Sequence, residues 1–97
     1  MGKLEIHFNE VPHSRPIKKF IHSNVMKWLH ARLIHSTEWV RVDFFRSPLD
    51  HKVGCYIEVK NGRYLWRNFE YGRGIQDTFS HCLKHLVENT RIERRAS

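Results

Sequence analysis

The chain has 97 residues, of which 40% are hydrophobic and 28% are charged. This length and composition predict one globular domain with a single core, and they exclude a disordered chain. The formal net charge is +7, from 17 lysines and arginines against 10 acidic residues, which favours nucleic acid or an anionic membrane surface as the partner. No apolar run approaches the length of a membrane span, and we expect a cytosolic protein without a secretion signal or membrane anchor.

The first two predicted elements are a strand and a helix. Residues 4–8 alternate apolar and polar side chains, which predicts a strand. Ser14 is a good helix N-cap, and Pro16 is tolerated in a first turn. Apolar residues then recur at three- and four-residue spacing, which predicts an amphipathic helix from Arg15 to Arg32. These apolar residues are Ile17, Phe20, Ile21, Val25, Trp28 and Leu29.

The stretch between Val11 and Thr37, which contains this helix, has no acidic residue. It carries five strong bases and four histidines, namely Arg15, Lys18, Lys19, Lys27, Arg32, His13, His22, His30 and His35. On a helical wheel the helix bases lie opposite or beside the apolar stripe, and Met26 lies among them. The pattern therefore predicts a helix with one face on a core and one basic face toward a polyanion.

Three strands are predicted next. Residues 39–46 and 53–60 both alternate apolar and polar side chains. Asn61 and Gly62 are a strong hairpin signal, so residues 63–70 are expected to return as a third strand. The register of this strand stays open between two core-facing sets, Tyr64 with Trp66 or Leu65 with Phe69.

A second helix closes the chain after Gly72 and Gly74. Its apolar stripe consists of Ile75, Phe79, Cys82, Leu83 and Leu86, with Val87 at the edge. The opposite side is predicted to carry Arg73, Lys84 and Arg91, and Arg94 and Arg95 follow. Residues from about 92 to 97 are expected to form a frayed basic tail.

The element order predicts the fold class. A strand–helix–strand crossover places the first two strands in parallel, and the remaining strands form a meander. Each helix has one apolar stripe, so both should cover the same sheet face. We therefore predict an α+β two-layer sandwich of order β-α-β-β-β-α, with a four-stranded mixed sheet and one open sheet face. This fold is similar to double-stranded-RNA-binding domains, which lack the first strand.

The chain resembles the ribosome hibernation-promoting factor and ribosome-associated inhibitor family in its short, single-domain form. The resemblance rests on the capped helix start at residues 14–21, on Val25 and Trp28, and on the hairpin at residues 59–62. The last-helix motif has diverged from the family pattern. The resemblance implies a protein that binds the small ribosomal subunit near its decoding channel, blocks messenger and transfer RNA, and protects idle ribosomes.

The basic faces of the two helices are the first candidate site, because lysine and arginine neutralise RNA phosphates. The predicted RNA-binding residues are Arg15, Lys18, Lys19, His22, Lys27, Arg73, Lys84, Arg91, Arg94 and Arg95. The alternative for these residues is a charged face that only solvates the helices. A structured RNA outside the ribosome is the alternative partner.

The open sheet face is the second candidate site. Phe45 and Tyr56 are expected there, together with Tyr64 or Trp66, and exposed aromatic side chains can stack on bases. The alternatives are cross-strand pairing that stiffens the sheet, or a protein-interaction surface.

Catalytic and metal sites have little support in the sequence. His81 and His85 have the spacing of a metal-binding pair on a helix, and a nuclease that uses them with Lys84 can be imagined. Neither a phosphate loop nor paired carboxylates accompany them. Cys55 and Cys82 are expected to be buried free thiols rather than a disulfide or metal site. We therefore expect a monomeric binding protein, not an enzyme, without metal or cofactor.

Overall fold

The computed structural model describes residues 3–31, 37–62 and 64–96, and it describes side chains over residues 4–28, 39–62 and 65–88. Its elements are β1 (Lys3–Asn9), α1 (Arg15–Ala31), β2 (Thr37–Arg46), β3 (Val53–Asn61), β4 (Tyr64–Gly72) and α2 (Ile75–Ala96). The predicted element order and α+β fold class are confirmed. Arg32, the predicted end of the first helix, lies outside the described residues, and α2 continues through most of the predicted frayed tail.

The four strands form one mixed sheet in the order β1-β2-β3-β4. β1 runs parallel to β2, whereas β2–β3 and β3–β4 are antiparallel. The parallel first pair is the one that the crossover through α1 predicts, because a helix carries the chain back to the start of the next strand.

The hydrophobic core lies between one sheet face and both helices, as predicted. The fully buried side chains come from β2, β3, α1 and α2, and they include Val42, Phe44, Cys55, Ile57, Val59, Ile21, Val25, Phe79, Cys82 and Leu86. The alternation of β2 and β3 sends the intervening residues to the other sheet face. None of the helices in the described ranges combines the length and apolarity that crossing a bilayer requires.

The hairpin between β3 and β4 settles the register that the sequence left open. Asn61 pairs with Tyr64, so Asn61 belongs to the strand and the loop begins at Gly62, one residue later than the Asn61–Gly62 turn we predicted. Gly62 has a φ of 60°, a left-handed conformation that glycine adopts without steric cost. Trp66 therefore faces the core with 8% exposure, opposite Val59.

Both helices begin at the same end of the sheet. Asn9 pairs with Phe45 there, and Val53 pairs with both Arg46 and Gly72. Short connections lead from this end to each helix start. α1 and α2 consequently lie side by side on the sheet and run away from a common end.

Candidate nucleic-acid interface

The basic face of α1 points away from the core. Ile21, Val25 and Trp28 are buried against the sheet and α2, and a helix that buries one stripe exposes the opposite one. The predicted phosphate-binding residues of this helix are all exposed, namely Arg15, Lys18, Lys19, His22 and Lys27. Met26, which we placed on this face, is instead partly buried and packs against the core.

The α1 bases are not ion-paired within the described part of the chain. Among the described side chains, none of the five forms an ion pair with a carboxylate. By contrast, Arg41 on β2 lies 3.0 Å from the Asp43 carboxylate. An unpaired cation keeps its full capacity to displace counterions from a phosphate backbone. The α1 face is therefore available to a polyanion in a way that the sheet face is not.

The N-terminus of α1 carries basic residues, which interact unfavourably with the helix dipole. Ser14 caps the helix, since its Oγ accepts a hydrogen bond from the Ile17 N–H at 3.4 Å. The first turn contains no acidic residue, and Arg15, Lys18 and Lys19 lie near the positive end of the macrodipole. Bases at this end are unfavourable for the helix by a few tenths of a kcal/mol each. They lower the stability of the isolated helix, so the first turn of α1 is not optimised for helix stability.

The described length of α2 is less basic than we predicted. Lys84 is exposed on its outer face, but it lies four residues before Glu88 and seven after Asp77, both also exposed. At this spacing the three side chains share one helix face. The charges of this face therefore alternate in sign. The remaining predicted bases of α2, Arg91, Arg94 and Arg95, come later in the sequence.

The other predicted α2 bases lie at the two ends of the helix. Arg73 is exposed but precedes the first helical residue, Ile75, so it belongs to the connection rather than to the helix face. Arg91, Arg94 and Arg95 are within the helical range, and their side chains lie outside the described residues. Arg73 follows β4 at the end of the sheet where α1 also begins, but β4 and β1 are opposite edges of the sheet.

The two histidines that we considered as a metal pair have different surroundings. His81 is exposed, whereas the Nδ1 of His85 lies 3.2 Å from a carboxylate oxygen of Glu70 on β4. Within the described part of the chain, no group of three or more histidine, cysteine, aspartate or glutamate side chains is arranged to hold a metal ion.

The cysteines are buried free thiols, as predicted. The Sγ of Cys82 lies 3.4 Å from the carbonyl oxygen of Cys55 and 3.3 Å from that of Asn68. The hydrogen bond from Cys82 and burial together raise the pKa of the Cys55 thiol. The two cysteines pack α2 against β3 and β4 and do not form a reactive site.

The open sheet face differs in part from the prediction. Phe45 and Tyr56 face outward, but Trp66 faces the core. Phe69 and Tyr71 take its place, with 38% and 58% exposure. We missed Tyr71 because we ended β4 at residue 70. Trp66 has the largest side chain of this strand. A prediction that placed it in the core would have placed Phe69 and Tyr71 on the open face, because side chains alternate along a strand.

Three aromatic rings form a cluster on this face. Phe45 and Phe69 stack with centroids 5.5 Å apart, and Tyr71 meets Phe69 edge-on at 4.7 Å. Beside them, Tyr56 donates a hydrogen bond to a Glu58 carboxylate oxygen. Burial and then this carboxylate raise the pKa of Tyr56, and Arg67 opposes the rise. The face is thus partly aromatic and partly ion-paired.

Known proteins match this chain in fold and not in sequence. No protein-family model and no curated protein sequence matches the chain. The fold is similar to that of the Thermus thermophilus Protein Y N-terminal domain, with a TM-score of 0.74 and 14% identity over 97% of this chain and 98% of that one. It is equally similar to a ribosomal subunit interface protein from Coxiella burnetii, with a TM-score of 0.74 and 15% identity over 98% and 99% of the two chains. The chain therefore shares its fold with these two proteins along nearly its whole length.

Proposed function

We propose that this protein binds structured RNA of the small ribosomal subunit and silences or protects idle ribosomes in the cytosol. The observation that carries the proposal is the α1 face, where Arg15, Lys18, Lys19 and Lys27 are exposed without a carboxylate partner among the described residues. RNA helices are recognised largely through backbone and shape, so this surface needs no base-reading side chain. The protein acts by occupying a site and not by catalysis.

The fold supports the ribosome as the source of the RNA. A solved structure with the same topology along almost its whole length is described as a ribosomal subunit interface protein. A shared fold alone leaves function open. The basic α1 face adds an independent argument, because a ribosomal partner presents a dense array of phosphates.

The test is co-sedimentation with isolated small ribosomal subunits. We expect the double substitution Lys18→Glu/Lys19→Glu to abolish pelleting, because it reverses two charges at the centre of the proposed contact and so changes the net charge by four units. The melting temperature should not fall, since acidic residues near a helix N-terminus interact favourably with the macrodipole.

A matched control is Lys52→Glu/Lys60→Glu, which makes the same change in net charge away from α1. Lys52 is exposed beside the β2–β3 turn, and Lys60 lies on the open sheet face. Pelleting of this variant should remain. Equal losses in both variants would show a non-specific charge effect, and unchanged binding in the α1 variant would remove α1 from the site.

Two further measurements test the RNA class and the mode of action. A duplex RNA of unrelated sequence, added as competitor, should displace the protein from small subunits only at large excess. Efficient displacement would favour a general structured-RNA binder instead. Labelled RNA incubated with an equimolar amount of protein should stay intact, whereas cleavage would indicate a nuclease.

A further inference from the structure

The open sheet face carries a row of alternating charges that crosses all four strands. Glu5 on β1 pairs in register with Arg41 on β2. Arg41 pairs with Glu58 on β3, and Glu58 pairs with Arg67 on β4. Residues in register share a sheet face, so the row reads negative, positive, negative, positive from β1 to β4.

A row with this sign pattern is complementary to a copy of itself. We consider two sheets that face each other, related by a two-fold axis that runs between them parallel to the strands. This rotation reverses the order of the strands across the sheet but leaves each residue at the same height along the strands, so a row faces the same row of the second copy. β1 then faces β4 of the second copy, and β2 faces β3. In this arrangement each Arg41 lies opposite a Glu58 of the other copy, and each Glu5 lies opposite an Arg67.

The face is also flat enough to pack against a second sheet. A Cβ atom placed on Gly54 would lie 2.9 Å from the Phe45 ring and 3.1 Å from the Phe69 ring. The two aromatic rings therefore lie low across the glycine instead of projecting from the sheet. Aligned packing of two sheets needs such low faces about 10 Å apart.

The exposed apolar groups lie beside the charged row. Phe69 and Tyr71 are on β4, and Leu65, with 45% exposure, is at the other end of the same strand. Aromatic side chains are enriched in protein–protein contacts. This apolar area lacks a covering element in the described part of the chain.

The charge balance of this face distinguishes a protein partner from RNA. The row contains two acidic and two basic residues, and Asp43, only 8% exposed, adds a further carboxylate beside Arg41. Carboxylates in the middle of a surface repel phosphates, whereas they complement the arginines of an identical surface. The α1 face, where the described residues include no carboxylate, has the opposite character.

We propose that the open sheet face binds a second copy of this chain in a two-fold symmetric dimer, with Arg41 and Glu58 of the two copies paired at its centre. This differs from the monomer that we expected from the sequence. The strands have seven to ten residues and lie about 4.8 Å apart, so the face measures roughly 20 Å across the strands and about 20–30 Å along them. Two copies would bury on the order of 1,000 Å² in total, at the small end of specific interfaces, so the dimer forms at micromolar or higher concentrations.

The test is sedimentation equilibrium at about 10 to 500 µM, a range chosen for an interface of this size. The wild-type protein should show a mass that rises with concentration. Arg41→Glu and Glu58→Arg should each stay monomeric, because each places like charges opposite each other twice in its own dimer. An equimolar mixture of the two variants restores both opposite-charge contacts, so the mixture should associate about tenfold more tightly than either variant alone.

The mixture of the two variants decides between a contact within one chain and a contact between copies. If Arg41 and Glu58 interacted only within their own sheet, adding the other variant chain would not restore association. Circular dichroism checks that each variant is folded, since Arg41→Glu also lies beside Asp43 of its own strand. If Arg41→Glu does not fold, Tyr71→Lys replaces it. This exposed position should accept the substitution, and the variant should lose self-association.

Three results would overturn the proposal. One is a wild-type protein that stays monomeric over the whole concentration range. Another is a mixture that associates no more than its separate components, or a Tyr71→Lys variant that associates like the wild type. The third is tight binding of a labelled oligouridylate that Phe69→Ser and Tyr71→Ser abolish, which would assign the face to single-stranded RNA instead.

Discussion

Phe20 of α1 and Phe79 of α2 meet edge to face, with ring centroids 6.0 Å apart and planes inclined by 72°. This contact joins the two helices in their first halves, over the same sheet face. The ring of Phe79 is fully buried, and that of Phe20 is partly buried. The position of the α1 basic face relative to the rest of the molecule therefore depends on an aromatic pair between the helices.

Replacing Phe79 should destabilise the whole protein. We expect Phe79→Ala to lower the free energy of unfolding by about 3–5 kcal/mol, because it removes a fully buried ring and leaves a cavity between both helices and the sheet. Urea denaturation followed by circular dichroism measures the change. Leu49→Ala, at a position with 92% exposure, should change stability by less than about 0.5 kcal/mol. Similar losses in the two variants would contradict the packing described for Phe79.

Gly72 should tolerate no side chain, unlike its neighbour Gly74. A Cβ on Gly72 would overlap the hydroxyl of Thr78 and lie 3.2 Å from its Cβ. Thr78 is held in place, since it is 1% exposed and its hydroxyl donates a hydrogen bond to the Gly74 carbonyl at 2.6 Å. We expect Gly72→Ala to cost about 1–3 kcal/mol in thermal or urea unfolding.

Gly74→Ser is the matched control for this change. Apart from its chain neighbours, no atom of the described residues lies within 4 Å of a Cβ at Gly74, and serine is a favourable residue before a helix start. This variant should unfold at the wild-type urea concentration or slightly above it. If the two variants were equally stable, close approach of Thr78 would not explain the glycine.

RNA binding should depend strongly on salt. If roughly six phosphates are contacted, the plot of log affinity against log salt concentration has a slope near −4 to −5. Lys19→Ala or Lys27→Ala should each reduce the magnitude of the slope by about one. Binding to small subunits between 50 and 200 mM salt provides the measurement. Lys52→Ala, away from α1, should leave the slope unchanged, and an equal change there would place the contact elsewhere.

The thiols should be inert in the folded protein. Cys55 and Cys82 are both 0% exposed, and the raised pKa of Cys55 keeps its thiol protonated at and above neutral pH. At pH 8 we expect a colorimetric disulfide reagent to react with neither cysteine until guanidinium unfolds the chain, after which both react. Fast reaction of one thiol in the native protein would show that α2 opens locally over β3.

Much of the fold follows from local patterns. The three- and four-residue spacing of apolar residues in α1 has one structural solution, and so has the alternation in β3 around Ile57. One apolar stripe per helix then requires both helices on one sheet face. The α1 basic face is equally local, because Lys18, Lys19 and Lys27 are placed by the same periodicity that buries Ile21 and Val25.

The rest depends on contacts between distant residues. β4 contains large apolar side chains in both alternation phases, so only the pairing of Val59 with Trp66 decides which phase is buried. The alternating charges of α2 are, by contrast, visible in the sequence, because Asp77 and Glu88 lie seven and four residues from Lys84. Our prediction counted the bases of this helix and overlooked these two acids.

The sequence by itself determined the element order, the fold class and the basic face of α1, because helix and strand periodicities repeat within a few residues. Only the tertiary structure decided which charges meet across the sheet. The row from Glu5 to Arg67 joins residues that are 62 positions apart in the sequence, and it exists through strand register. Register is set by backbone hydrogen bonds, turn geometry and the burial of one face, all of which act between segments and not within them.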